Sequence, residues 1–182
     1  MKNFDAPTFY FAVTDVVEKN CPTVNSGKEL IASDFVPKQS TERDVGCDVR
    51  CAAPDGIILE PGKYFMIPLG FRMFAPDNWW LFLTPRSSTF TKSNIQSLYG
   101  VIDSSFSSQL HFAGTFCPDT DKLLTNQKSL KINFGDRTAQ VIPMPRYFMP
   151  SEQIHNKLFD ELVIKRNDPR GFNSGFGASG KV

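Results

Sequence analysis

No apolar run in this 182-residue sequence approaches the roughly 18 residues needed to cross a bilayer. The opening stretch, MKNFDAPTFYFAVTDVVEKN, lacks the basic lead, apolar core and small-residue cleavage site of a secretory signal. The expected setting is soluble and cytoplasmic, or host-intracellular for a viral chain, with no membrane partner. Net charge is nearly missing as well. Twenty Lys and Arg against 19 Asp and Glu leave +1, so no global field attracts nucleic acid, and any anion site must be local. Cys21, Cys47, Cys51 and Cys117 form no CxxC pair, and only His111 and His155 could complete a metal set, which argues against structural zinc. The four cysteines are expected to be reduced thiols, and the histidines surface or packing residues.

Long amphipathic helical periodicity is also absent, whereas aromatic residues are plentiful. A hydrophobic content of 41% with 17 Phe can fill the core of one domain. Apolar runs separated by closely spaced turn signals predict strands at 57–59, 63–73, 79–83, 109–116, 130–134 and 139–144. Glu60-Pro61-Gly62 and Ala75-Pro76-Asp77-Asn78 read as turns. Two short helices are expected, at 87–92 and at 151–156, the second capped by Pro150-Ser151. The polar stretch 118–128 reads as an extended hairpin loop. The segment 170–182 holds four glycines and little that could order it alone, which suits an arm that orders on a ligand. The expected organisation is one β domain over 1–169 and a flexible arm over 170–182. Within that arm Gly175-Phe-Gly-Ala-Ser-Gly180-Lys181 approaches P-loop spacing, but a P-loop requires a following helix and the sequence stops.

Five segments carry polar residues in a sharper pattern. They are Val45-Gly-Cys-Asp48-Val-Arg-Cys-Ala-Ala53, Pro85-Arg86-Ser87-Ser88, Tyr99-Gly100-Val-Ile-Asp103-Ser-Ser-Phe106, Gly135-Asp136-Arg137-Thr-Ala-Gln140-Val-Ile-Pro143, and the glycine-rich tail. In this order and spacing the set resembles the five motifs of the trimeric dUTPase family, from about residue 45 onward. The resemblance implies an all-β, distorted antiparallel barrel of the jelly-roll type. It also implies a homotrimer with shared active sites that hydrolyses dUTP to dUMP and pyrophosphate with Mg²⁺.

The implied roles suit the residue types. Cleaving the α–β bond of a triphosphate depends mostly on positioning and electrostatic stabilisation. Asp103 would orient and deprotonate the attacking water; a carboxylate can accept that proton, although as a weak base. Its alternative is a turn-forming Asp whose side chain caps local backbone. Asp48 would help hold hydrated Mg²⁺ through water, or else only pair with Arg50 or Arg86. Arg86, Ser87 and Ser88 would meet phosphate oxygens, Ser87 at the α–β bridging oxygen, and Gln140 the α-phosphate. A helix cap for Ser87 and a solvated strand end for Gln140 are the alternatives. Gly100 lies in the third motif, beside the backbone that selects uracil. Phe106, where Tyr is usual, would lie beneath the deoxyribose and disfavour a ribose hydroxyl. In the tail, Arg170 and Ser179 would grip the γ-phosphate while Phe176, flanked by Gly177, stacks on uracil; one extra residue separates Arg170 from Phe176 relative to the usual spacing.

Three other readings compete. A dCTP deaminase would need a catalytic Glu where this chain has Ala113, flanked by Phe112 and Gly114. A regulatory or interaction protein built on the same fold would use the nucleotide site mainly to switch an arm. A structural jelly-roll protein would explain the strands but not the polar set.

Overall fold

The computed structural model describes residues 8–118 and 129–166. They divide into two units, Met1–Tyr147 and Phe148–Val182. The first unit is built from short antiparallel strands: β1 Tyr10–Val13, β2 Thr23–Asn25, β3 Lys28–Leu30, β4 Cys47–Arg50, β5 Ile57–Leu59, β6 Tyr64–Pro68 and β7 Phe71–Phe74. It continues through β8 Trp79–Pro85, β9 Ile95–Ser97, β10 Gly100–Ile102, β11 His111–Phe116, β12 Leu130–Ile132 and β13 Arg137–Pro145. Helices α1 (Asp15–Asn20) and α2 (Ser87–Thr91) are single short turns of chain, and a 3₁₀ turn spans Ala32–Phe35.

The strands form a four-stranded sheet in the order β10-β8-β13-β4, a three-stranded sheet β6-β11-β9, and the pairs β1-β7, β12-β5 and β2-β3. This is an all-β arrangement of small antiparallel sheets packed on one another, of the kind the motifs imply. Period-2 alternation orients it. In β8, Leu81 and Leu83 are buried while Trp80 and Phe82 take the other face. The core between the sheets holds Val49, Leu59, Ile67, Phe71, Leu81, Phe112 and Val141, all nearly or fully inaccessible.

Both expected turns form: Lys63 N–H donates to Glu60 O at 3.1 Å and Trp79 N–H to Pro76 O at 2.9 Å. One expected strand is corrected. The run 63–73 is two strands, because Gly70 adopts φ +75° and breaks it; β6 then pairs with β11 and β7 with β1. An added Cβ at Gly70 would lie 2.5 Å from Val17 Cγ2 and 2.6 Å from Ala52 Cβ, so glycine also admits α1 against the sheet.

In the second unit the helix expected at 151–156 is likewise corrected. Residues 151–155 carry no regular secondary structure, and α3 runs Asn156–Arg166. His155, not Pro150-Ser151, opens it: its O accepts from Phe159 N–H at 3.1 Å and its Nδ1 from Lys157 N–H at 3.2 Å. The cap set this boundary, since α3 has no strong apolar stripe to announce it. The loop expected over 118–128 and the arm expected over 170–182 lie outside the described residues, apart from Pro118. No helix among the described residues is long and apolar enough to cross a membrane.

Candidate functional site

Strand β13 lies between β8 and β4 and gathers three motifs. Its register sets Gln140 opposite both Asp48 and Thr84, so motif one, the end of β8 and motif four meet at one end of the sheet. There Arg86 Nε donates to Asp48 Oδ1 at 2.7 Å and Arg137 Nη1 to Asp48 Oδ2 at 3.0 Å. Arg86 Nη1 also donates to Ser88 Oγ at 3.3 Å. The Asp48 and Arg86 side chains are about one-quarter exposed and that of Arg137 about half. Two guanidiniums thus share one carboxylate, leaving this end of the sheet locally positive in a chain whose formal charge is +1.

Gln140 Nε2 donates to Pro85 O at 3.2 Å, tying motif four to the residue before Arg86. Gly46 makes room for it, because an added Cβ would collide with Gln140 Oε1. Ser87 is exposed as the first residue of α2, and its carbonyl accepts from Thr91 Oγ1 at 3.0 Å. Helix α2 is pinned beneath by the buried Thr89, whose Oγ1 donates to Thr138 O at 2.9 Å.

Arg50 does not pair with Asp48. Its Nη1 donates to Gly135 O at 2.7 Å and its Nε to Asp34 O at 3.2 Å, which holds motif one to the motif-four turn. Burial, reinforced by the charge of Arg137, lowers its pKa from the usual arginine value. Next to it Cys51 exchanges backbone bonds with the same turn, Cys51 N–H to Asp136 O and Gly135 N–H to Cys51 O, each 2.8 Å. Burial pushes the Cys51 thiol up to about 11 and raises that of Cys47, where the neighbouring Asp48 charge adds to the effect. All four cysteines are free.

Asp103 is elsewhere. Strand β10 pairs with β8 so that Gly100 faces Leu83 and Ile102 faces Leu81, which brings Asp103 level with Trp80. From Trp80 to Arg86 the chain advances along β8 by roughly 20 Å at about 3.3 Å per residue. Asp103 instead lines a cavity of about 480 Å³ with Trp79, Trp80, Val101, Ser105 and Arg146. Its carbonyl accepts from Phe106 N–H at 3.0 Å, closing a turn that leaves Phe106 39% exposed. Within one copy, therefore, Arg86, Ser87, Ser88, Asp48 and Gln140 come together, Asp103 and Phe106 do not join them, and Gly100, opposite Leu83, stands between the two groups. Arg170, Phe176, Gly177 and Ser179 lie outside the described residues. Among the described residues no three His, Cys, Asp or Glu side chains form a metal-binding group. Arg137 and Gly46 were overlooked as contributors, although both lie inside quoted motifs. A cation two residues after a turn glycine and a glycine two residues before a motif carboxylate were the available signals.

The dUTPase family model matches residues 34–174. A deoxyuridine 5'-triphosphate nucleotidohydrolase of Gamma-proteobacterium EBAC31A08 is 30% identical over 80% of this chain and 94% of its own length. That of Neisseria gonorrhoeae (strain NCCP11945) is 33% identical over 78% of this chain and 88% of its own. Among solved structures, the dUTPase of Staphylococcus bacteriophage 80alpha with dUPNHPP superposes with a TM-score of 0.69 at 22% identity, over 96% of this chain and 99% of that one. A mutant dUTPase from phage phi11 of S. aureus, described with a structural Mg(II) ion, gives 0.61 at 17% identity, over 81% and 97%. The architecture is the all-β, dUTPase-like jelly roll of these structures. The chain belongs to the dUTPase family.

Proposed function

We propose that this protein hydrolyses dUTP to dUMP and pyrophosphate, in active sites shared between the copies of a homotrimer. The observation that carries this reading is the division of the motifs between the two ends of one sheet. Arg86, Ser87 and Gln140 converge around Asp48 at one end, and Asp103 lies with an open cavity at the other. A reaction that needs both is completed when the Asp103 end of one copy meets the Arg86 end of another. The exposed face of the same sheet supports assembly. Val101, Phe82 and Ile142 stand side by side across three strands, next to Trp80 and Met144. Tyr99 stacks on Phe82 at 5.7 Å, and it and Val101 are more than half exposed. Such an apolar band suits burial against another copy.

In the proposed mechanism Asp103 holds the attacking water in line with the α-phosphorus and takes its proton. Gln140 donates to the α-phosphate, Ser87 to the bridging oxygen as it becomes the leaving group, and Arg86 balances the charge that develops. Phe106 supports the deoxyribose. From the tail, Arg170 and Ser179 hold the γ-phosphate and Phe176 with Gly177 covers the uracil ring, so the arm 170–182 shuts water out. Bound Mg²⁺ would neutralise charge on the phosphates. The residues fit a hydrated ion carried mainly by those phosphates, since Mg²⁺ keeps several waters and needs few protein ligands. Asp48, with each oxygen already accepting from a guanidinium, would reach it only through water.

Pyrophosphate release from dUTP, dCTP and dTTP, with magnesium or with chelator, tests the reading. Hydrolysis of dUTP alone, dependent on magnesium and reduced at least about 10²-fold in Asp103→Asn, is expected. Intact dUTP in the presence of magnesium refutes it.

A further inference from the structure

The β2–β3 hairpin precedes the stretch matched by the family model, which begins at residue 34. It is nonetheless fixed to the fourth motif. Asn25 Nδ2 donates to Phe134 O and to Asp136 Oδ1, each at 2.9 Å. Leu30, only 1% exposed, packs on Gly135, where an added Cβ would meet Leu30 Cδ1 at 2.7 Å. Side chains two apart on a strand share a face, so Lys28 is directed to the same side as Leu30 and Glu29 to the opposite one.

On that inner side lies a cavity of about 600 Å³ whose charged lining is Lys28, Arg50, Arg86, Lys131, Arg137 and Asp136. Asp136 is already engaged by Asn25 and by Asn133 N–H at 2.7 Å. Arg86 and Arg137 share the single carboxylate of Asp48. Among the described residues no carboxylate pairs with Lys28. Cations therefore outnumber the anions that could neutralise them, around a space that opens beside Arg86.

We infer that Lys28 is a further substrate-binding residue, brought by the amino-terminal hairpin to the terminal phosphates of the nucleotide and to the departing pyrophosphate. The ligand class follows from the site. Several cations spread around a roomy polar space suit a polyphosphate, whose charge extends over several ångströms, better than one carboxylate or one phosphate. The inference rests on the proposed dUTP reading, because that reading puts phosphates against Arg86. It adds an element from outside the family-matched stretch to the phosphate grip.

The test compares Lys28→Ala, Lys28→Arg and the outward-facing Glu29→Gln in the full-length protein, using KM for dUTP and inhibition by inorganic pyrophosphate and by dUMP. Loss of one partly exposed cation is expected to raise KM and the pyrophosphate inhibition constant about three- to tenfold. Lys28→Arg should restore most of that, while Glu29→Gln and the dUMP inhibition constant stay unchanged, because dUMP carries only the α-phosphate. Unaltered pyrophosphate inhibition in Lys28→Ala, or an equal weakening of dUMP, overturns the inference while leaving dUTP hydrolysis standing. If the unsubstituted protein leaves dUTP intact, the dUTP reading fails separately. Calorimetric titration with inorganic pyrophosphate then still decides on Lys28: weaker binding to Lys28→Ala supports it, and equal binding overturns it.

Discussion

Replacing Asp48 by Asn separates its anchoring of two arginines from the proposed water-mediated contact with magnesium. Asparagine keeps the shape and one acceptor but removes the charge that Arg86 and Arg137 share at 2.7 and 3.0 Å. A fully exposed ion pair contributes about 0.2–1 kcal/mol, and breaking a buried one costs about 3–5 kcal/mol. Asp48 and Arg86, about one-quarter exposed, fall between these limits, whereas the half-exposed Arg137 falls near the lower one. The substitution also leaves two guanidiniums facing each other without a counter-charge. A loss of about 2 kcal/mol is expected, which for a chain of this size lowers Tm by roughly 4–8 °C. Thermal melts in chelator isolate the anchor role, because no metal is then present. Addition of Arg137→Met should recover part of the loss by removing the surplus cation, and the double-mutant cycle reads the coupling. An unchanged melting temperature in chelator, together with a raised magnesium requirement for hydrolysis, would refute the anchoring argument and leave Asp48 to the metal alone.

Two further outcomes follow from packing. Gly46→Ala should push the Gln140 side chain aside and lower kcat by about 10²-fold, the scale of losing one transition-state donor, with dUTP affinity and melting temperature changed far less; steady-state kinetics checks it. Cys51, its thiol pushed up to about 11 by burial, should stay protonated in the folded chain after the unfolded thiol ionises near 9. Its contribution to stability is then intact below pH 9 and declines as pH rises towards 11, by about 2–3 kcal/mol in all. Urea unfolding across that range, compared with Cys51→Ala, measures it.

Much of the fold could be read in the sequence where local chemistry decides it. The alternation Trp80-Leu81-Phe82-Leu83 after a proline turn announces β8 and its two faces. Long-range pairing was harder to see. Strand β4 buries only Val49 of its four residues, and it is a strand because β13 lies beside it. Gly70 lies inside the run 63–73, expected as one strand, yet its positive φ sends β6 and β7 to different partners. The β2–β3 hairpin was also missed, although Ser26 and Gly27, at φ +51° and +76°, are a readable tight turn. At the site, the motifs singled out Asp48, Arg86, Ser88 and Gln140, which the fold brings together. Their order could not reveal that Asp103 and Arg86 stand at opposite ends of β8, since strand register alone determines that.

The proposed sharing of each site between copies is tested most directly by complementation. Asp103→Asn and Arg86→Ala are expected to be nearly inactive when each is made alone. Co-expressed in equal amounts, they should form mixed assemblies in which about one site in four pairs an intact Asp103 from one copy with an intact Arg86 from another, restoring about a quarter of the unsubstituted activity. Activity no greater than the sum of the separate variants, in assemblies verified as mixed by mass, would contradict a site built across copies.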